Sequence, residues 1–316
     1  MTEPVVRTRR RWVTVVLAVV AVPFALLTAS RLLGIDVDRE VLAALALTPY
    51  AAVGVLVLAV VTLVLRRWWT GAVAGLLAVT LTVLVAPRLF AADQPQVSGQ
   101  RLRILAANLY TGQADPTALV NLVRDNKVDV VSLVELTSRE VAALGTAGMF
   151  ALLPYRVLHP GPGNTGSGLA SKYPLTELAL SGASTAKEPS AQLTIGTANV
   201  EIVAAHPVAP TWSVPMWRSQ FADLPKADSA TLRIVAGDFN ATLDTPELRK
   251  LLDSGYVDAA DQRGDGLLPT WPDGLFPPPV TLDHVLADHR IAVTGFRVFD
   301  VPGSDHDAVY AELTLP

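Results

Sequence analysis

The sequence predicts an α/β domain of two sheets packed face to face, with helices outside them, preceded by three membrane-spanning helices. Three observations predict this. The first ninety residues hold three long apolar runs, the rest alternates short apolar strands with helical segments, and polar residues recur where those strands end. A chain of 316 residues has room for two domains of roughly 150 residues each.

The apolar runs cover residues 12–33, 41–65 and 68–86. Each is close to the ~20 residues that a helix needs to cross a bilayer, and none shows the polar face of a surface helix in water. The second run contains Pro49 and Gly54, which membrane helices tolerate. Arg7, Arg9, Arg10 and Arg11 precede the first run, and Arg66 and Arg67 lie between the second and third. The loop over residues 34–40 is acidic on balance. Basic loops stay inside, so three crossings put everything after residue 90 outside the cytoplasmic membrane. Trp68 and Trp69 beside the arginine pair suit an interfacial anchor. A cleaved signal peptide fits the first run less well, because the run is long, lacks a clear Ala-x-Ala site and is followed by two more.

The chain is 51% hydrophobic with mean hydropathy +0.38, and the excess sits in this first part. It has no cysteine, which excludes disulfides, thiol catalysis and Cys-ligated zinc. Residues 1–100 carry nine Lys or Arg and five Asp or Glu, net +4. The remainder carries 16 and 24, net −8. Proteins that grip long nucleic acid draw most of their affinity from a basic surface, so an acidic second half argues against that partner. Residues 91–100 are polar with Pro and Gly and read as a linker. The expected organisation is a membrane domain over 1–90, the linker, and a second domain over 101–316.

Within that domain the elements follow in order. Residues 103–108 form a strand ending at Asn108. Asp115 caps a helix that opens with Pro116 and runs to residue 125. Residues 128–134 form a wholly apolar strand ending at Glu135, and 138–144 are helical. Strands follow at 168–171, 191–197, 200–205 (ending at His206) and 232–236 (leading to Asp238). Pro246 opens a short helix. Residues 282–286 bracket Asp283, and 309–315 close the domain as a strand with alternating burial.

Asn108, Glu135, His206, Asp238 and Asn240 thus lie at or just after the ends of apolar strands, with Asp305 and His306 in the loop before the last one. Packed sheets gather such residues on one rim. Their chemistry suits a phosphate ester, whose hydrolysis asks for a cation, an activated water and donors to the phosphoryl oxygens. Glu135 is a lone carboxylate of the kind that hard cations take. Asn108 either adds a carbonyl ligand or orients Glu135. Asp238 and Asn240, in Gly237-Asp238-Phe239-Asn240, suit a water and a phosphoryl oxygen. His206 suits a donor to a non-bridging oxygen. His306 is a base or a charge stabiliser, and Asp283 is its natural partner. Taken singly, each residue also fits a turn or a cap.

Taken together, the motifs resemble the endonuclease/exonuclease/phosphatase superfamily, which includes deoxyribonuclease I, apurinic endonucleases, inositol-polyphosphate phosphatases and sphingomyelinases. The matching stretches are Ile104-Leu105-Ala106-Ala107-Asn108-Leu109, Val130-Val131-Ser132-Leu133-Val134-Glu135, Gly168-Leu169-Ala170-Ser171-Lys172-Tyr173-Pro174, Ala204-Ala205-His206-Pro207, Gly237-Asp238-Phe239-Asn240, Thr281-Leu282-Asp283-His284-Val285-Leu286 and Gly303-Ser304-Asp305-His306. The resemblance implies a four-layer α/β sandwich with Mg²⁺ or Mn²⁺. It implies Glu135 as main metal ligand, assisted by Asn108 and Asp305. It makes Asp238 and Asn240 the pair that positions water and phosphate, His206 a phosphate contact and Asp283 the orienter of His306. One departure stands out: nuclease members pair the histidine matching His206 with a carboxylate from the segment before the strand at 168–171, and residues 152–168 hold no Asp or Glu. Three spans ahead of such a domain also look like actinobacterial membrane proteins linked to teicoplanin resistance, which are thought to act on lipid-linked cell-wall intermediates.

The expectation is a metal-dependent phosphoesterase anchored in the bilayer, with a lipid-linked or small phosphoester as substrate. An extracytoplasmic nuclease and a non-catalytic binding module are the alternatives. Two apolar, Pro-rich stretches, 210–217 after His206 and 274–279 before Asp283, read either as ordinary packed loops or as a rim that dips toward lipid, with Trp217 and Phe276 on it.

Overall fold

A computed structural model describes residues 3–182 and 184–316, with side chains from residue 11 onward. Arg7, Arg9 and Arg10, which help to orient the first run, lie outside the described side chains. The chain divides into two compact units: residues 1–87 with 244–246, and residues 88–243 with 247–316.

The first unit is helical: α1 (Glu3–Leu33), α2 (Arg39–Ala46), α3 (Thr48–Val64) and α4 (Trp68–Val85). Among the described residues two helices are long and apolar enough to cross a membrane, Arg11–Leu33 and Trp68–Leu89. This corrects the expectation of three continuous spans. The run predicted over 41–65 is split into α2 and α3, which meet at a 69° bend, so a third crossing exists only if the bent pair acts as one. Pro49 explains the break. A proline inside a helix removes a hydrogen bond and clashes with the preceding turn, so a new helix starts with Pro49 in its first turn, where a missing N–H costs nothing. Thr48 Oγ1 donates back to Leu45 O at 2.6 Å and ties off the end of α2. On α4, Val73, Leu76, Val79 and Val83 are exposed while Gly71, Ala74 and Ala78 are packed. Small residues inside and large aliphatic ones outside invert the pattern for water and fit lipid.

The described residues of the second unit form twelve strands in two six-stranded sheets. The first sheet has the order β11 (Ala292–Phe299), β12 (Ala308–Thr314), β1 (Arg101–Asn108), β2 (Val130–Val134), β4 (Ser167–Ser171), β3 (Tyr155–His159). The second has β5 (Thr176–Leu178), β6 (Ser190–Ile195), β7 (Ala198–Ala205), β8 (Leu232–Asp238), β10 (Asp283–Asp288), β9 (Tyr256–Asp258). Alternate residues of facing strands, such as Ile104, Leu169, Ile202, Ile234 and Val285, fill one core between the sheets. The opposite residues of the first sheet, among them Leu105, Val131 and Leu133, pack under α5 (Pro116–Asp125), α6 (Ser138–Ala147) and α7 (Met149–Leu152). Strand β2 is buried at every position because both its faces are covered, which is why it reads as an apolar run broken only by Ser132.

Each sheet has one central parallel pair, β1–β2 and β7–β8. Parallel neighbours end on the same side, so the registers Asn108↔Val134 and Ala205↔Gly237 bring Asn108 beside Glu135 and His206 beside Asp238. Strand β10 runs antiparallel to β8 with Asp283 opposite Asp238. Ser132 Oγ donates to Ala236 O at 2.7 Å and ties the two sheets together in the core.

Two local expectations change. Residues 91–100 carry no helix or strand but are strapped to the unit, with Val293 N donating to Gln94 Oε1 at 2.7 Å and Gly99 N to Leu315 O at 3.0 Å. The stretch 210–217 is not all loop. Ser213 caps α8 (Val214–Asp223) by accepting from Met216 N, and Pro215 sits in the first turn. Trp217 is therefore a core residue, 0% exposed, stacked edge-on against Phe221 and donating Nε1 to Phe239 O at 3.3 Å. It does not belong to an apolar rim.

Candidate active site

The turn out of β8 is built by two backbone features. At Gly237 (φ +150) a Cβ would lie 2.2 Å from Ala205 O, so only glycine lets β7 and β8 approach this closely. Asn240 (φ 49) takes the left-handed conformation that asparagine tolerates. Its N–H donates to Asp238 Oδ1 at 2.8 Å, and its Nδ2 donates to Pro207 O at 3.1 Å. The turn after β7 and the turn after β8 are thereby joined.

At the centre, Asn108 Nδ2 donates to both Glu135 Oε1 (3.2 Å) and Asp238 Oδ2 (3.0 Å). Its Oδ1 accepts from Tyr110 N at 2.9 Å, which fixes the amide orientation. Of the two roles open to Asn108, these bonds support orienting Glu135. Glu135 itself has φ 57, and Oε2 accepts from Thr111 N at 2.7 Å. His206 Nε2 lies 3.8 Å from Glu135 Oε1 and 3.8 Å from Asp238 Oδ2. His306 Nε2 lies 3.7 Å from the same Asp238 oxygen, and its Nδ1 is 2.8 Å from Asp283 Oδ2. Burial works against a charge on His306, but the carboxylates of Asp283 and Asp238 outweigh it and push its pKa up to about 10.

Asp305 stands slightly apart. Its Oδ2 accepts from Trp271 Nε1 at 3.3 Å, and among the described residues no hydrogen bond or ion pair joins it to Glu135 or Asn108. The compact group of acids and histidine, with ligand atoms within 4.8 Å of one another, is Asp238, Asp283 and His306. That closeness is largely the Asp283–His306 hydrogen bond, whose Nδ1 is thereby engaged. The donors nearest Asn108 are carboxylate oxygens from Glu135 and Asp238, and Asp283 Oδ1 is buried with no hydrogen-bond partner among the described residues. This oxygen-rich set fits a hard divalent cation of the Mg²⁺ or Mn²⁺ class.

The model of the endonuclease/exonuclease/phosphatase family matches residues 105–306. The chain belongs to that family. Its members are phosphoester-hydrolysing enzymes. No curated protein matches the chain. Among solved structures, an endonuclease/exonuclease/phosphatase from Beutenbergia cavernae is 18% identical, with TM-score 0.56 over 68% of this chain and 72% of its own. D. rerio TDP2, complexed with single strand DNA product, is 17% identical, with TM-score 0.56 over 68% and 99%. An AP endonuclease from Archaeoglobus fulgidus is 15% identical, with TM-score 0.52 over 66% and 98%. At such identities these likenesses establish the fold.

Other residues complete this family member's site without having been foreseen. Glu188, in the loop before β6, accepts from His206 N at 2.7 Å, and burial pushes its carboxyl up to about 7. His206 Nδ1 is buried without a hydrogen-bond partner among the described residues. Thr270 Oγ1 donates to Asp283 Oδ2 at 2.7 Å and accepts from the N–H groups of Leu282 and Asp283. Ser304 Oγ accepts from His306 N and donates to Asn108 O at 2.8 Å, linking the two ends of the site. Short polar residues in loops gave no signal of this in the sequence.

Proposed function

We propose that this protein is a membrane-anchored, metal-dependent phosphoesterase that acts outside the cytoplasmic membrane on a lipid-linked or small phosphoester. The observation that carries the reading is the unbroken chain of side-chain contacts Glu135–Asn108–Asp238–His306–Asp283, on a chain that also has helices long and apolar enough to span a bilayer. Glu135, oriented by Asn108 and assisted by Asp305, would hold the cation. A bound Mg²⁺ or Mn²⁺ supplies Lewis-acid polarisation of a phosphoryl oxygen. Asp238 holds the attacking water and takes its proton as the oxygen bonds to phosphorus. Asn240 positions a phosphoryl oxygen. His206 Nε2 donates to a non-bridging oxygen. His306, kept charged and oriented by Asp283, stabilises the charge that builds on phosphate as the ester P–O bond breaks.

The net charge of −8 after residue 100 supports a small or lipid-borne phosphoester over long nucleic acid. A nuclease is the second reading, favoured by the fold shared with D. rerio TDP2 and the Archaeoglobus fulgidus AP endonuclease. Purified full-length protein with Mg²⁺ distinguishes them when phosphate release from polyprenyl pyrophosphate, phospholipid and inositol phosphate is measured beside plasmid nicking. Release from a lipid phosphoester without nicking is expected. Robust nicking overturns the first reading in favour of the second.

A further inference from the structure

Residues 270–280 form a hairpin rooted in the site. Trp271 and Val280 pair as an isolated bridge, with N–H···O distances of 3.0 and 2.7 Å. The root is tied to two site residues. Thr270 Oγ1 reaches Asp283, Trp271 Nε1 reaches Asp305 Oδ2, and Asp273 N donates to Asp305 O at 2.9 Å. The Trp271 ring also lies 6.3 Å, centroid to centroid, from that of His306. The tip is of another kind: Leu275 is 91% exposed and Phe276 90%. Moving such side chains out of water is favourable, and among the described residues of this unit nothing covers them.

The same unit holds the segment that leaves the apolar helix Trp68–Leu89. Gly266 N donates to Arg88 O at 3.3 Å, and Ala92 N donates to Gln262 O at 3.1 Å. A Cβ at Gly264 would lie 2.9 Å from the Phe90 carbonyl carbon. Leu89 and Phe90 are themselves exposed. The point where the chain leaves the apolar span is thus held against residues 262–266, which lead directly into the hairpin root at Thr270. Within this unit the exposed apolar pair Leu89 and Phe90 and the exposed apolar tip are joined through residues 262–270.

We infer that Leu275 and Phe276 insert into the bilayer that anchors the chain, so that the hairpin holds the rim with Asp305 and His306 at the lipid surface. The occupant of the tip is the acyl layer of the membrane. The substrate class this selects is a phosphoester carried on a membrane lipid, and that part rests on the phosphoesterase reading. The insertion itself does not. The chain has no cysteine, so Phe276→Cys and, separately, Leu275→Cys each accept a single environment-sensitive fluorophore in the full-length protein. Reconstituted into phosphatidylcholine vesicles, both labels are expected to shift their emission to shorter wavelength. Both should be quenched by nitroxide-bearing lipid and be protected from iodide supplied on both faces. Iodide quenching of both labels, with no effect of the nitroxide lipid, overturns the inference whatever the protein hydrolyses. Labels buried in lipid on a protein without phosphoesterase activity would uphold the insertion and sink the functional reading instead.

Discussion

Asp283 and His284 are neighbours on β10 and serve opposite faces of the strand. Asp283 meets His306 Nδ1 at 2.8 Å in the site. His284, fully buried, sits 2.8 Å from Asp258 Oδ2 through Nδ1 and 2.9 Å from Ala241 O through Nε2. A carbonyl only accepts, so Nε2 carries a proton, and the carboxylate favours a second on Nδ1. Burial works against this charge, yet Asp258 outweighs it and raises the His284 pKa. The buried pair fixes the carbonyl that follows Asn240.

Asp258→Asn removes the counter-charge and leaves His284 strained between donor roles. Breaking a buried pair from one side costs about 3–5 kcal/mol, so the thermal midpoint of the full chain in detergent should fall by several degrees. Phosphoester turnover should fall with it as the Asn240 turn loosens. An unchanged midpoint would contradict this role.

Glu188 gives the site a pH dependence. Burial raises its pKa from 4.5 to about 7. The folded chain then binds more protons than the unfolded one between those values, so this contribution is full below about 4.5 and declines until about 7. The shift bounds the effect at roughly 3 kcal/mol. Glu188→Gln keeps an acceptor for His206 N and abolishes the titration. Its chemical-denaturation midpoint should gain on wild type as pH rises through that window and level off above it. Parallel pH profiles for the two proteins would contradict the assignment.

Asn108 is predicted to act through its neighbours. Asn108→Ala frees Glu135 and Asp238 from their shared donor, and the half-saturating Mg²⁺ concentration for hydrolysis should rise. His306→Ala should instead lower the maximal rate, by about 10²–10³-fold, with little change in the Mg²⁺ titration. A fall in rate for Asn108→Ala at unchanged Mg²⁺ dependence would count against an orienting role.

The side of the membrane depends on parity. With the N-terminus inside, the second unit lies outside if α2 and α3 cross as one bent unit, and inside if only the two long helices cross. Single cysteines at exposed Val37, Arg66 and Asp125 read this out in whole cells. Labelling of Val37→Cys and Asp125→Cys by an impermeant maleimide, with Arg66→Cys protected, is the expected result. Protection of Asp125→Cys would put the second unit inside.

Much of the site was legible because strand ends are legible. Asn108, Glu135, His206 and Asp238 follow buried apolar runs, and parallel pairing brings them together. Glu188 was not, since it reaches His206 across eighteen residues through folding alone. The helix α8 hid behind prolines, although Ser213 and Pro215 are start signals, and of the two readings of Trp217 the structure shows the packed one. Strands β3, β5 and β9 are short, and the first two are largely exposed, so they carry little periodicity. At Pro49 a continuous apolar composition concealed a 69° bend, because hydropathy reports lipid compatibility and not helix continuity.

The most direct test compares wild type with Asp238→Asn in vesicles carrying a lipid-linked phosphoester, with Mg²⁺ and then with chelator. The account predicts phosphate release by wild type that stops with chelator, returns with added Mg²⁺, and is at least about 10²-fold weaker in Asp238→Asn. Release that is equal in the two proteins, or indifferent to chelator, would contradict it.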